Sequence, residues 1–205
     1  MSNHDTVREL VRDHGTTYAE RAGITLRDKP SPLFQLLVLT QLASVPISAG
    51  IAADAAREVF RAGWRTPERL RDATWQQRVD ALGRAHYKRY DESTSAKLEE
   101  LADAVLGTCR GDLRRLRPDS HGGVGTLHEA IEGFPRIGPT GAGIFCREVQ
   151  AVWPEARPYF DDRAARRRRP GAAHRSRPAR EPGAAARRRT AGCGARRSGQ
   201  LLAVS

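Results

Sequence analysis

The residues from Leu127 to Val149 hold the arrangement in this sequence most suited to chemistry. Leu127, Ala130, Ile131 and Phe134 fall on one face of a helix, and Ala142, Phe145, Cys146 and Val149 on one face of another. Between them Gly133-Phe134-Pro135-Arg136-Ile137-Gly138-Pro139-Thr140-Gly141 leaves room only for a tight reversal. Gly138 can adopt backbone angles closed to other residues, and Pro139 suits the first turn of the second helix. The small residues Gly141, Ala142 and Gly143 let the two helices come close. Such a reversal points unpaired backbone N–H groups outward from a helix N-terminus, where they bind a phosphate without a basic side chain. Contacts of this kind hold nucleic acid without reading its sequence.

Other segments carry weaker signals. Arg84-Ala85-His86-Tyr87-Lys88-Arg89-Tyr90 interleaves cations with aromatics. It reads first as a solvated turn with Tyr87 or Tyr90 anchored in the core, and second as a DNA-contacting loop. His86, His121 and His128 suit surface or capping roles better than metal binding. Gly122-Gly123-Val124-Gly125 lacks the strand and third glycine of a nucleotide-binding fingerprint and reads as a flexible linker. Cys109, Cys146 and Cys193 lie far apart, with no CxxC pair, as expected for reduced thiols in a cytosolic protein. HExxH, GxSxG and GxxxxGK[ST] are absent, which disfavours metalloprotease, serine-hydrolase and P-loop chemistry.

The elements that must position the reversal all read as helices. Ser31 as N-cap and Pro32 at the first helical position open a run to Ser44 that is apolar nearly all round, the pattern of a central bundle helix. Pro46 ends or kinks it. Ala52, Ala55, Ala56, Val59 and Phe60 keep helical spacing until Gly63. Thr66-Pro67 opens a short helix, and Thr74-Trp75-Gln76-Gln77 has capping-box form, with Val79 and Leu82 on the buried side. Leu98, Leu101, Ala102, Val105 and Leu106 mark one face of a long helix from about 91 to 107. Trp64, Trp75 and Trp153 read as packing residues. No period-2 strand is convincing, so the fold class is all-α.

Phe134-Pro135-Arg136-Ile137-Gly138-Pro139-Thr140-Gly141-Ala142 resembles the L-P-G-V-G-x-x-T-A hairpin of the helix-hairpin-helix DNA glycosylases, the endonuclease III superfamily. The order of the buried helix, Thr66-Pro67, Leu82-Gly83 with Tyr87-Lys88, and the long helix is similar too. Pro158-Tyr159-Phe160-Asp161-Asp162 resembles the family's apolar-then-Asp segment. The resemblance spans roughly residues 30–162. It implies a helical bundle that bends duplex DNA, extrudes a damaged base and hydrolyses its N-glycosidic bond. It also implies DNA contacts at Arg136, Ile137, Gly138, Thr140 and Gly141, and a carboxylate at Asp161, or Asp162 one residue on, that stabilises the cationic sugar. The alternative reading makes both acids solvated residues at a helix start.

The chain departs from the family in three places. Thr140 stands where lyase members carry a Schiff-base lysine, implying base removal without lysine-dependent strand cleavage. In place of S-A-Q-A-T-D the sequence reads Thr40-Gln41-Leu42-Ala43-Ser44-Val45, so Leu42 takes the glutamine slot unless Gln41 shifts by one. Beyond Asp162 only Cys193 remains, so no four-cysteine iron–sulfur loop forms and no cofactor is expected.

From Arg163 to Ser205 Arg, Ala, Gly and Pro make up 32 of 43 residues, and no Phe, Trp or Tyr occurs. This composition cannot build a core and predicts a disordered tail. A GC-rich gene read out of frame yields the same mixture; a polybasic arm on DNA phosphates is the other reading. The tail carries 13 Arg and one acid, whereas residues 1–162 hold 22 Lys+Arg against 23 Asp+Glu, so the net charge of +11 says nothing of the body. The expected organisation is an N-terminal helical segment 1–30, a glycosylase-like domain 31–162 incomplete at its C-terminus, and the tail 163–205. No secretory signal or membrane span is visible. The sequence therefore predicts a cytoplasmic monomer, nucleoid-associated in a bacterium, with double-stranded DNA as partner. The two functional readings are a glycosylase and a non-catalytic DNA-binding protein on the same scaffold.

Overall fold

The computed structural model describes residues 15–118 and 123–160, with positions 4, 5, 8, 9 and 12, all within the unit Met1–Pro170. Every regular element among the described residues is helical: α1 (Tyr18–Arg21), α2 (Pro30–Leu42), α3 (Ala49–Arg61), α4 (Pro67–Arg71), α5 (Trp75–Arg84), α6 (Asp91–Cys109), α7 (Gly123–Glu132) and α8 (Pro139–Val149). Two 3-10 turns, Leu113–Leu116 and Pro154–Ala156, complete the set. No described helix is long and apolar enough to cross a membrane.

Helix α2 is central. Leu33, Phe34, Leu36, Leu37, Val38, Leu39 and Leu42 are fully buried around its whole circumference, and α3, α6 and α8 pack on it. Burial of such side chains stabilises by about 1.5–3 kcal/mol each before entropy is counted. The helix starts two residues earlier than Ser31 and Pro32 suggest. Lys29 precedes Pro30, is held extended (φ −140°, ψ 151°), and serves as N-cap without a side-chain bond. Ser31 lies inside the helix, its hydroxyl donating to Arg65 O at 2.9 Å. The starts of α4 and α5 match expectation. Thr66 accepts from the Arg69 N–H, and Thr74 with Gln77 forms a complete capping box.

Two other expectations fail. Gly123 to Gly125 form the first turn of α7, so the glycine run is not merely a linker; Leu127 and Ile131, buried against the core, draw the helix back over it. Trp75 is 45% exposed, because as the first residue of α5 it precedes the turn that faces the core. Trp153 is fully buried, edge-on to Phe145, with its indole N–H on Asp28 Oδ1 at 3.0 Å. Arg117 joins Asp28 to Glu155, so the 3-10 turn after α8 is tied to the loop before α2.

The segment before α2 packs on the body. Ala19, Ala22 and Ile24 enter the core, and the Ala19 N–H donates to Glu148 Oε2 at 3.1 Å. Tyr87 is the core anchor of the segment 84–90. It is 2% exposed, and its hydroxyl donates to Leu42 O at 3.2 Å. Burial pushes the Tyr87 phenol from 10.0 to about 12, and the Tyr18 phenol likewise. The folded state thus keeps protons that the unfolded chain releases above pH 10. That stability is complete below pH 10 and is lost as the pH rises toward about 12. Urea midpoints are expected to fall through this window, and Tyr87→Phe to flatten the fall at a cost of about 1 kcal/mol for the lost hydrogen bond. An unflattened profile would reject the assignment.

Candidate nucleic-acid interface

The reversal is a helical hairpin: α7 and α8 are joined by residues 133–138 and pack on each other. The chain turns at Arg136, which holds φ +63°. Gly138 is extended (φ −94°, ψ −175°), and a Cβ there would meet nothing within 4 Å, so the conformational demand placed on Gly138 falls on Arg136 instead. A non-glycine residue in the left-handed region costs of order 1 kcal/mol and persists only where its surroundings hold it there. Phe134 and Ile137, buried on either side, supply that hold.

What the turn presents is a bare helix start. Gly138 is the N-cap of α8, no side chain caps it, and Pro139 occupies the first turn. The N–H groups of Thr140 and Gly141 have no intrahelical acceptor, whereas the Ala142 N–H is already bonded to Gly138 O at 3.0 Å. Thr140 is exposed, whereas Gly141 is buried, so the Thr140 amide is the one that the turn presents. Arg136 is also exposed and puts a positive charge at the edge of the turn, its guanidinium 3.8 Å from Glu100. Ile137 contributes nothing outward: its side chain is 3% exposed and its N–H donates to Phe134 O. It is a packing residue, contrary to the expectation from the resemblance, since the turn needs an apolar anchor there.

The small residues serve a different approach from the one expected. A Cβ on Gly141 would stand 2.5 Å from Ser44 Oγ, 3.0 Å from Ile137 Cγ2 and 3.3 Å from Thr40 Cγ2. Gly141 thus admits α8 against the end of α2 rather than against α7. Gly143 makes room for the Tyr159 hydroxyl, 3.1 Å from where its Cβ would lie.

Gln41 holds the hairpin from inside. It is 3% exposed, and its Nε2 donates to Lys97 O at 3.0 Å and to Pro135 O at 3.3 Å. Leu42 is wholly buried. Both are interior residues, so with or without the one-residue shift neither side chain is presented at the surface.

A cleft of about 1010 Å³ opens along α8 beside the amides, near the upper end of the range for small-molecule sites. Thr140, His128 and Tyr159 line it, the two rings stacked with centroids 6.3 Å apart and planes at 28°. Tyr18 and Glu148 line it as well. Glu148 is 8% exposed and accepts from Arg147 Nε as well as from Ala19. Among the described residues the buried Tyr18 hydroxyl has no hydrogen-bond partner. Sequence reading missed both Tyr18 and Glu148. The one available signal was an acid set into the apolar run Phe145-Cys146-Arg147-Glu148-Val149.

Asp161 and Asp162 lie outside the described residues, as do Cys193 and the tail from 163. Cys109 and Cys146 are buried thiols, and burial pushes Cys146 up to about 12, which keeps it unreactive at neutral pH. Among the described residues no group of three or more His, Cys, Asp or Glu could hold a metal ion.

Among the described residues the chain is all-helical, with an uncapped helical hairpin next to a cleft. Comparison with protein-family models, curated proteins and solved structures finds no match.

Proposed function

We propose that this protein binds duplex DNA through the hairpin and acts as a base-excision glycosylase of the helix-hairpin-helix type. The observation that carries the reading is the exposed start of α8 at Thr140, where no side chain caps the first turn. Anionic phosphate is the natural partner of such a site. The adjacent cleft supplies room for an extruded base, with a His128–Tyr159 ring stack at its wall.

In this reading water adds to the sugar carbon as the N-glycosidic bond breaks, and the base departs with the bonding electron pair and gains a proton. Asp161, or Asp162 in the neighbouring register, supplies the negative charge that steadies the cationic sugar. With Thr140 in the lysine slot, no Schiff base forms there. No cofactor takes part, and the protein works as a cytoplasmic monomer, nucleoid-associated in a bacterium.

Asp161→Asn is expected to lose base release from damaged duplexes while duplex affinity holds. Borohydride is expected to trap no covalent adduct on Thr140 or its neighbours. Unchanged base release in Asp161→Asn rejects the catalytic assignment. The burial of Gln41 and Leu42 favours a second reading, non-catalytic DNA binding on the same scaffold. Duplex binding without base release from any damaged substrate would select it.

A further inference from the structure

A second groove, about 460 Å³, lies between the loop that runs into α2 and the outer face of α3. Among the described residues five cations line it (Arg27, Lys29, Arg57, Arg61 and Arg65) and no acid does. This concentration stands out in a body whose residues 1–162 carry a net charge of −1. Arg57 and Arg61 sit one turn apart on α3, about 6 Å along its axis, and Arg65 follows just beyond its end. Arg27 and Lys29 stand on the loop that runs into α2.

The acids nearby cancel only part of the charge. Asp54 pairs with Arg57 at 2.7 Å, and Glu58 is shared between Arg61 and Arg84. Asp28 is occupied by Arg117 and Trp153. Arg65 bonds only a carbonyl, Phe60 O at 3.1 Å, and Arg27 and Lys29 are exposed with no hydrogen bond or ion pair from their side chains among the described residues. Three cations therefore face the groove without a counter-charge. Such uncompensated like charge is repulsive in the free protein and is relieved by a polyanion.

The shape decides which polyanion. Arg57 and Arg61, a turn apart on α3, spread the charge along the groove, so a chain of phosphates fits better than a single one. The floor aromatic, Phe60, is 5% exposed, so it offers no face on which an unpaired base could stack. Single-strand sites depend on such stacking; duplex backbone sites do not.

We propose that this groove binds backbone phosphates of the duplex whose other phosphates meet the hairpin. The proposal rests on the DNA-binding reading above but uses different residues. Pro32 at the groove and Thr40 at the hairpin lie on one helix, eight residues or about 12 Å apart, so the two sites engage different phosphates.

The test measures affinity of the full-length protein for a short undamaged duplex across a salt series. It compares wild type, Arg27→Glu/Lys29→Glu, Thr140→Glu, and the control Arg110→Glu/Arg115→Glu, which makes the same charge change on another exposed surface. The groove variant is expected to flatten the slope of log K against log salt by about 1.8, for two lost phosphate contacts at roughly 0.9 each. The control is expected to leave the slope near wild type. The Arg-rich tail is common to all four proteins and cancels.

An equal loss in the control would mean bulk charge alone and overturn the groove. A wild-type slope in the groove variant, with binding lost in Thr140→Glu, also overturns it but leaves the hairpin reading intact. Loss in the groove variant with Thr140→Glu unaffected supports the groove and removes the hairpin reading. Amide shifts at residues 25–29 are then followed by NMR with the duplex and with inorganic phosphate at equal ionic strength. Shifts with the duplex alone support the proposal. Saturating shifts with phosphate alone would reassign the groove to a small phosphorylated ligand.

Discussion

Gly141→Val is expected to destabilise the protein by about 3 kcal/mol, and Gly141→Ala by about 1–2 kcal/mol. The alanine value is the smaller because its better helix propensity returns up to about 1 kcal/mol of the packing cost. The cause is the 2.5 Å approach that any Cβ would make to Ser44 Oγ, closed off behind by Ile137 and Thr40. Ile137 is buried and cannot yield, and the Ser44 hydroxyl is held by its bond to Thr40 O at 2.8 Å. Either the hydroxyl swings away or α8 lifts off α2, and lifting carries the Thr140 and Gly141 amides with it. A double-mutant cycle separates these outcomes. Ser44→Ala removes the atom nearest the new methyl, so Gly141→Ala/Ser44→Ala is expected to recover most of the loss in urea midpoint. A double variant no more stable than Gly141→Ala would show that the close approach to α2 is not what requires glycine.

The second large effect is at Arg78, whose replacement by alanine is expected to cost about 3 kcal/mol. Arg78 is 1% exposed, an unusual state for a cation, and its guanidinium is filled with acceptors. Nη1 donates to Leu70 O at 3.2 Å and Ala73 O at 2.7 Å, Nε to Ser95 Oγ at 3.3 Å, and Nη2 to Glu99. One side chain thereby closes the end of α4, the start of α5 and the middle of α6 into a unit. Truncation leaves two buried carbonyls without a donor, at about 1–3 kcal/mol each, along with a void. Glu99 loses less, because its side chain is 47% exposed and returns to water. Arg78→Lys is expected to recover no more than half, since an ammonium cannot reproduce the planar fork. Denaturant unfolding of the three proteins decides the matter; a lysine variant as stable as wild type would show that charge alone is needed.

These two positions stabilise different halves of the same arrangement. Gly141 sets how closely the hairpin approaches α2, and Arg78 fixes the α4–α6 layer, in which α6 supplies Lys97 O to Gln41. The Gln41 amide then bridges α6 and the hairpin turn. Loss of Arg78 is therefore expected to loosen the hairpin indirectly, visible as faster hydrogen exchange at residues 134–142.

The sequence by itself determined the helices. The apolar circumference of Leu33 to Leu42 specified a central helix, Thr66 and Thr74 marked two starts through side chains that bond their own first turns, and the periodicity of 98–106 placed the long helix. The hairpin was legible too, because two amphipathic faces separated by so few residues leave the chain no other course. These are local effects, decided by neighbours within a turn or two.

Only the tertiary structure decided which residues face outward. Arg136 takes the left-handed angle because Phe134 and Ile137 are pinned from outside the turn. Gln41 turns inward because two carbonyls from segments 56 and 94 residues away converge on it. Arg78 is buried because the carbonyl ends of a neighbouring helix need a donor, and the five-cation groove forms because the loop 25–29 meets the outer face of α3. Pairings of this kind depend on which distant groups packing brings together, and no spacing along the chain encodes them.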